Sequence, residues 1–386
     1  MKERLKKDPR AQPSLFEMIA REWKVASPVT EIAFNRECSA VAFALQDGAI
    51  MLADTADAEA PEKRIRRAAD DARLSILRRD KPFPMLRRAD HSDGRSSGVV
   101  AHGEKNFAFA KVNGRINALT PKGTTLYLEA RGDGPIAVIT TSAVGKKLAF
   151  AQGDEVVVVE GGAVEDGASA APVRLSVGQN ATALAISPDG QTLAVGHAAG
   201  VSLYDLQLSE PTPRLVPTPG ETASINWIAD GRWLAVCLTE AGFCLIDPRT
   251  QTATMHGSFP APVRSIAFNA MTRTIVASGA YRVAAWSLKD GPEKDGPQPV
   301  ATTGKPGLVL VDAVACCPGR PLVAVGYANG LLSLAQIGSR EEILLREDTG
   351  VGISAMAWSE NGKFIAVASK DGGTALVELP DAMFKF

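Results

Sequence analysis

One pattern of short apolar runs separated by turn residues recurs along almost the whole chain, and it constrains the fold more than any other sequence feature. The clearest copy occupies residues 181–206. Its first apolar run, Ala183–Ile186, stops at the turn 187–190, where a proline presets φ and a glycine accepts a positive φ. A second run at 193–195, another turn and a third run ending at Tyr204-Asp205 complete it. The copy therefore predicts three antiparallel strands, which need neighbouring sheets to bury their faces.

Eight copies of this pattern can be counted along the chain. Their second turns share a small residue, at Gly48, Gly114, Gly153, Gly200, Gly242, Ala280, Gly330 and Gly372. Most steps between these residues lie near the roughly 40–45 residues that a four-stranded propeller blade needs. The recurrence predicts an all-β fold, a single closed β-propeller of four-stranded antiparallel blades. Eight blades are favoured, with seven as the alternative.

The order of residues in the copy at 181–206 resembles the WD-repeat family, with Tyr204-Asp205 standing where the family has its Trp-Asp pair. Related positions in other copies are held by Asp54, Asp247 and Trp286. The resemblance covers residues 23–379, although the family's Gly-His dipeptide before the first strand is absent. It implies a propeller that holds other proteins, here with packing in place of the family's internal Asp-His-Ser-Trp hydrogen-bond network.

Closure of the ring is predicted to use residues near the N-terminus. The last copy supplies only three strands before Leu379, and residues 23–26 read as a strand that can fill the fourth place. Such pairing removes two sheet edges that would otherwise invite aggregation. The predicted organisation is a tail at 1–20 with a short helix near 14–22, the propeller at 21–380, and a tail at 381–386.

The largest departure from the period is a basic insertion at about residues 55–96. Between Lys63 and Arg95 it holds eleven basic and five acidic residues. Apolar residues between Ile65 and Ile76 fit an amphipathic helix lying on the ring, whereas residues 74–77 also fit the missing fourth strand of the first blade, and both interpretations stay open. The insertion is either a solvated loop or a docking surface for an acidic protein partner. A nucleic-acid adaptor is a weaker alternative, because the segment has almost no aromatic residues for stacking.

Composition indicates a soluble protein with a core. The chain has 386 residues, of which 45% are hydrophobic and 22% charged, and its formal net charge is −1. This balance argues against binding nucleic acid or a membrane through a general positive field. The charged N-terminus lacks the apolar segment of a signal peptide, and no apolar run is long enough to span a membrane. We therefore expect a cytoplasmic protein that is monomeric on its own.

Residue types that carry chemistry are sparse. The five cysteines are odd in number, and a reducing compartment favours buried thiols over disulfides. The four histidines stand in separate segments without metal-ligand spacing, and no glycine-rich loop for phosphate occurs. We therefore expect no cofactor, no metal and no catalysis. The alternative is a small-ligand or enzyme site at the central channel, which would need inward-pointing carboxylates, histidines or tryptophans.

Partner-binding residues are expected on the loops between the second and third strands, which cluster on one face of a propeller. Tyrosine and arginine contribute strongly to binding energy at interfaces, so Tyr281, Arg282 and Tyr327 are the central candidates. The other candidates on that face are Glu240, Asn329, Lys370 and Asp371. Arginines of the basic insertion would steer an acidic partner toward the ring, namely Arg64, Arg66, Arg67, Arg78 and Arg79.

Overall fold

A computed structural model describes residues 13–67, 74–89, 96–131, 134–143, 146–160, 172–228, 231–240, 242–288, 298–299 and 303–384. Its strands form eight four-stranded antiparallel sheets, which confirms the eight-bladed β-propeller. We number the blades in chain order and label their strands a to d outward from the channel. The innermost strands of neighbouring blades contact one another around the ring.

The first four blades are continuous segments of the chain. Their strands, in the order a to d, are Val29–Phe34, Ala40–Leu45, Ile50–Asp54 and Arg87–Arg88 in blade 1; Ser96–His102, Asn106–Lys111, Arg115–Leu119 and Thr125–Arg131 in blade 2; Ile136–Thr141, Lys147–Gln152, Glu155–Glu160 and Val173–Ser176 in blade 3; and Ala183–Ile186, Thr192–His197, Gly200–Asp205 and Arg214–Pro217 in blade 4.

The last blade combines residues from the two ends of the described chain. The strands are Thr222–Trp227, Leu234–Leu238, Phe243–Asp247 and Thr252–His256 in blade 5; Ile266–Asn269, Thr274–Ala277, Ala284–Ser287 and Gln298–Pro299 in blade 6; Val311–Cys316, Leu322–Tyr327, Leu332–Gln336 and Glu342–Arg346 in blade 7; and Ile353–Trp358, Phe364–Ser369, Gly373–Glu378 and Ala20–Lys24 in blade 8.

The hydrophobic core is divided among the gaps between blades. The described residues form eight buried apolar clusters, one at each junction of neighbouring blades. The b strands lie between two such clusters, so that all six residues of Ala40–Leu45 are buried. Both faces of a b strand are covered, which is why these strands read as continuous apolar runs rather than as alternating patterns.

The recurring second-turn glycine follows from the backbone geometry at that turn. Gly330 has a φ of 89°, and a Cβ there would lie 2.4 Å from the carbonyl oxygen of Val351. A side chain would therefore be strained and would clash with the neighbouring connection. In blade 6 this position belongs to Gly279, with a φ of 91°, rather than to Ala280 as the spacing predicts. The turn requires the positive φ, so the register follows the glycine.

The predicted ring closure is confirmed. Strand Ala20–Lys24 pairs antiparallel with Gly373–Glu378, and Trp23 stands opposite Thr374. The strand begins three residues earlier than predicted, because the preceding helix, Leu15–Ile19, is shorter than predicted and the backbone is already extended at Ala20. A capping box between Ser14 and Glu17 begins that helix. A 3₁₀ turn, Asp381–Phe384, follows blade 8.

The basic insertion matches neither of the two interpretations of its sequence. Its helix is a single turn, Pro61–Arg64, and strand Leu74–Ile76 pairs with Ile65–Arg67 in a separate hairpin. The fourth strand of blade 1 is instead the two-residue Arg87–Arg88. The apolar residues between Ile65 and Ile76 fit both a helical and an extended pattern, and pairing within the insertion decides between them.

Hydrogen bonds and ion pairs hold the insertion against the closing strand. We call the residues that form them the closure clasp: Arg21, Trp23, Asp57, Arg64 and Arg79. Arg21 donates to the carbonyls of residues 54 and 55 at 2.8 Å, and Asp57 accepts a charge-assisted hydrogen bond from Arg79. Arg64 donates to the carbonyls of residues 18 and 77 at 2.5 Å. The Trp23 indole donates to the carbonyl of residue 84 at 2.9 Å. These bonds tie blade 1 to blade 8.

Candidate functional site: the upper face and the channel

The loops between strands b and c lie on the same side of the ring as the connections between blades, and we call this side the upper face. Two ion pairs join the b–c loop of blade 8 to strand a of blade 7 and to strand d of blade 8. Lys370 Nζ lies 2.5 Å from Asp312 Oδ2, and Lys24 Nζ lies 2.6 Å from Asp371 Oδ2. The predicted residues Lys370 and Asp371 are therefore exposed, but each is paired within the molecule.

Tyr281 and Arg282 lie at the tip of the b–c loop of blade 6, and both are exposed. The Tyr281 side chain is 48% exposed, which is unusual for a residue of its size. Its carbonyl accepts the Gly307 N–H at 3.1 Å, so the loop is joined to the connection between blades 6 and 7. Both side chains are therefore exposed to solvent on a loop that a backbone hydrogen bond holds in place.

Tyr327 does not lie at the surface, which corrects its predicted availability to a partner. The residue ends strand b of blade 7, is 8% exposed, and belongs to the apolar cluster between blades 6 and 7. Burial raises the pKa of its phenol. A tyrosine at the end of a b strand lies under the loop rather than on it, so Tyr327 serves packing.

Asn329 and Glu240 occupy ordinary turn positions on the upper face. The Asn329 amide donates to Asp348 Oδ2 at 2.9 Å, and its oxygen accepts the Leu331 N–H at 3.2 Å. Asn329 therefore shapes its own turn. Glu240 is exposed at the tip of the b–c loop of blade 5.

The arginines of the insertion divide into internal and exposed residues. Arg64 is buried, and Arg79 binds Asp57 and lies 3.9 Å from Glu59 Oε2, so both are structural members of the closure clasp. This corrects their predicted role as steering charges. Arg66 and Arg78 are exposed, whereas the side chain of Arg67 lies outside the described residues.

A cavity of about 620 Å³ occupies the central channel along blades 1 to 5. Among the described residues that line it, Glu31 is the only charged one, and the polar remainder includes Thr140, Thr182, Ser224 and Asn226. Glu31 Oε2 accepts the Val99 N–H at 2.9 Å, across the junction of blades 1 and 2. Ser265 makes the corresponding bond to the N–H of Val314 at the junction of blades 6 and 7. Glu31 therefore braces two blades and also gives the channel an ionisable group.

Burial raises the pKa of Glu31 to about 7, although the Val99 N–H lowers it. A raised carboxyl pKa means that ionisation costs the folded state free energy above pH 7, and that this cost disappears as pH falls toward 4.5. We expect Glu31→Gln, which keeps the acceptor for Val99, to stabilise the protein at pH 8 by about 2–3 kcal/mol and to change little at pH 4.5. Paired melting curves of the two proteins at both pH values measure this. A variant that melts below the wild type at pH 8 would contradict it.

The described residues bring together no group of three metal-binding side chains of the His, Cys, Asp and Glu types. All five cysteines are free thiols, and burial raises the pKa of Cys237, Cys244 and Cys317 to about 11. Such thiols are protonated and weakly nucleophilic at neutral pH.

No described helix is long and apolar enough to cross a membrane.

Two features of the upper face and channel escaped the sequence reasoning. Leu308, which follows the Gly307 that binds the Tyr281 carbonyl, is 96% exposed in the connection between blades 6 and 7. A Pro-Gly turn followed by an apolar residue just before a blade is the signal that could have identified it. Glu31 could have been noticed as a charged residue within an otherwise apolar first strand.

Comparison with known proteins gives three kinds of relative. A family model described as the anaphase-promoting complex subunit 4 WD40 domain matches residues 314–384. The COMPASS component SWD3 of Saccharomyces cerevisiae is 25% identical over 211 residues, covering 52% of this chain and 65% of that protein, which is less than two thirds of its length. Among solved structures, the C-terminal WD40 domain of Sif2 matches with a TM-score of 0.62 and 14% identity over 94% of this chain and 99% of that one. The Dos1 propeller matches with a TM-score of 0.66 and 12% identity over 93% and 94%.

Proposed function

We propose that this chain, an eight-bladed propeller that resembles the WD-repeat family, is a non-catalytic scaffold that holds a protein partner on its upper face. The observation that carries the proposal is the exposed Tyr281 on a loop tied by a backbone hydrogen bond to the next connection. A supported aromatic side chain binds with little loss of conformational entropy. Eight closed blades hold the loop in place.

The relatives support a role within an assembly. SWD3 is named as a component of COMPASS, and the matching family model is named for a subunit of the anaphase-promoting complex. Both names describe members of multiprotein complexes. We propose that this chain is likewise a subunit of a multiprotein complex, with a different protein partner.

The test compares two faces of one blade. The double variant Tyr281→Ala/Arg282→Ala removes the candidate contacts on the upper face, and Met271→Ala removes an exposed apolar side chain from the opposite side of blade 6. We expect chemical crosslinking with mass spectrometry in cells to recover partner peptides with the wild type and with Met271→Ala, and at least about tenfold less with the double variant. Loss only in Met271→Ala would place the partner on the opposite face.

The channel is a second candidate, as a site for a small ligand. The observation that favours it is the cavity of about 620 Å³, within the size range of ligand pockets, with Glu31 as its one charged lining residue among those described. Melting the protein against a small-molecule library, with Glu31→Gln as the control, tests this. A compound that stabilises the wild type but not Glu31→Gln would support a ligand site. If no compound does so, the ligand site is rejected and the scaffold function is the remaining proposal.

A further inference from the structure

We propose that the partner segment that binds the upper face is acidic and carries a bulky apolar side chain, and that it binds a surface formed by Arg264, Tyr281, Arg282 and Leu308. We call this surface the blade 6–7 patch. The inference rests on the proposed scaffold function and deepens it by naming the chemistry of the partner. It is based on the exposure of Leu308 and on the positive charges of Arg264 and Arg282.

Leu308 is 96% exposed, yet its connection is tied down on both sides. The Gly307 N–H donates to the carbonyl of Tyr281 at 3.1 Å, and the Val311 N–H donates to the carbonyl of Ala280 at 2.9 Å. In return, the Gly279 N–H donates to the carbonyl of Val311 at 2.9 Å. A large apolar side chain on a supported backbone gains free energy by leaving water in a complex, and little ordering opposes that gain.

The backbone of Tyr281 adjoins the residue before Leu308, because the Tyr281 carbonyl accepts the Gly307 N–H. The two adjoining loops thus carry one exposed aromatic and one exposed aliphatic side chain, and a bulky side chain of a partner can contact both. Interface hot spots combine such a centre with a polar rim. The patch thus fits one apolar anchor rather than a long apolar helix.

The rim of the patch carries positive charge that no described carboxylate balances. Arg282 is adjacent to Tyr281, and the backbone N–H of Arg264 donates to Ser278 Oγ at 3.1 Å, three residues before Tyr281. Both side chains are exposed, and neither forms an ion pair with a described residue. On blade 8, by contrast, Lys370 and Lys24 on the same face are each neutralised by an aspartate. The unbalanced charge favours carboxylates in the segment that covers the patch.

A protein segment accounts for these features better than a nucleic acid does. Arginine would serve either ligand, but an aliphatic side chain as exposed as Leu308 contributes nothing to base stacking. The formal net charge of −1 also supplies no general field for a phosphate backbone. The observations therefore favour an acidic peptide.

The experiment uses a random dodecapeptide library displayed on phage and selected on the full chain, with the double variant Tyr281→Ala/Leu308→Ser in the counter-selection. We expect enriched peptides to combine aspartate or glutamate with leucine, phenylalanine or tryptophan. Fluorescence anisotropy with the most enriched synthetic peptide should show at least about tenfold weaker binding to Arg264→Glu/Arg282→Glu, with a smaller salt dependence than the wild type. Leu308→Ser should also weaken binding at least about tenfold. Leu208→Ser, at an exposed leucine on the turn after strand c of blade 4, is the matched control and should bind like the wild type.

Three outcomes of the peptide experiment would overturn the proposal. Enriched peptides could be basic, the charge-reversal variant could bind them as tightly as the wild type, or a labelled oligonucleotide could bind in their place and be lost in that variant. The scaffold function is tested separately by the crosslinking experiment. Crosslinks to upper-face residues outside blades 6 and 7 would retain the scaffold and reject the patch, whereas a lack of partner crosslinks at every face would reject both.

Discussion

A chain that begins at residue 25 is expected to aggregate on expression or to lose most of its cooperative melting transition. The deletion removes strand Ala20–Lys24 and exposes the edge of Gly373–Glu378, which becomes a template for pairing with other chains. It also removes Phe16 and Ile19, both 2% exposed in the cluster between blades 7 and 8. Burial of these two side chains alone stabilises the fold by about 3–6 kcal/mol. Light scattering and differential scanning calorimetry measure the two effects.

The deletion can be reversed if the missing strand is the cause. A synthetic peptide covering residues 13–27, added to the truncated chain during refolding, should pair with the open edge and restore part of the transition. A scrambled peptide of the same composition is the control. A truncated chain that stays monomeric and melts like the whole one would mean that blade 8 does not need its fourth strand.

Arg21→Met is expected to lower the free energy of unfolding by about 3–5 kcal/mol, because it breaks a buried ion-paired network by removing one partner. The Arg21 side chain is 4% exposed and lies 3.8 Å from Asp57 Oδ2, whose own side chain is 3% exposed. Two carbonyls lose their donor in the variant, and Asp57 keeps only Arg79 of its two cationic partners. Denaturant unfolding of the two proteins measures the difference.

Lys24→Met is the matched control for Arg21→Met, since the two residues lie on the same strand. Lys24 is exposed and its pair with Asp371 contacts solvent, so its loss should cost less than about 1 kcal/mol. The double variant Arg21→Met/Asp57→Asn should be less destabilised than the sum of the single variants, because their charges are coupled. Equal effects of Arg21→Met and Lys24→Met would show that the closure clasp contributes little.

The features of the fold that could be predicted from the sequence are those encoded locally. The turn at Gly330 needs a positive φ, and the buried b strands need continuous apolar runs, so each blade carries its own signature. Blade 6 is the instructive exception, because regular spacing points to Ala280 while the dihedral requirement points to its neighbour Gly279. The closing strand was predictable by counting, since one blade lacked a member.

Distant contacts explain what the sequence could not predict. Arg64 appears as one more charge in a basic run, and its role depends on the carbonyl of Met18, 46 residues away. Tyr327 is the last residue of a b strand and faces the gap between blades, whereas Tyr281 lies on the loop after a b strand and faces water. Side-chain direction at the end of a strand depends on the neighbouring blade, so only the structure separates the two. The partner itself stays a proposal, because recognition depends on the chemistry of a second molecule.

The pairing of Trp23 with Thr374 sets the order of events during translation. The two residues are 351 positions apart, so strand Ala20–Lys24 waits for the synthesis of all the intervening residues before it meets its partner. At about 5–20 residues per second, that wait lasts roughly 20–70 seconds. During this time the nascent chain carries an unpaired strand and a growing, open arc of blades. Completion of the ring is therefore tied to the synthesis of strand Gly373–Glu378, and until then the open arc exposes strand edges that favour aggregation.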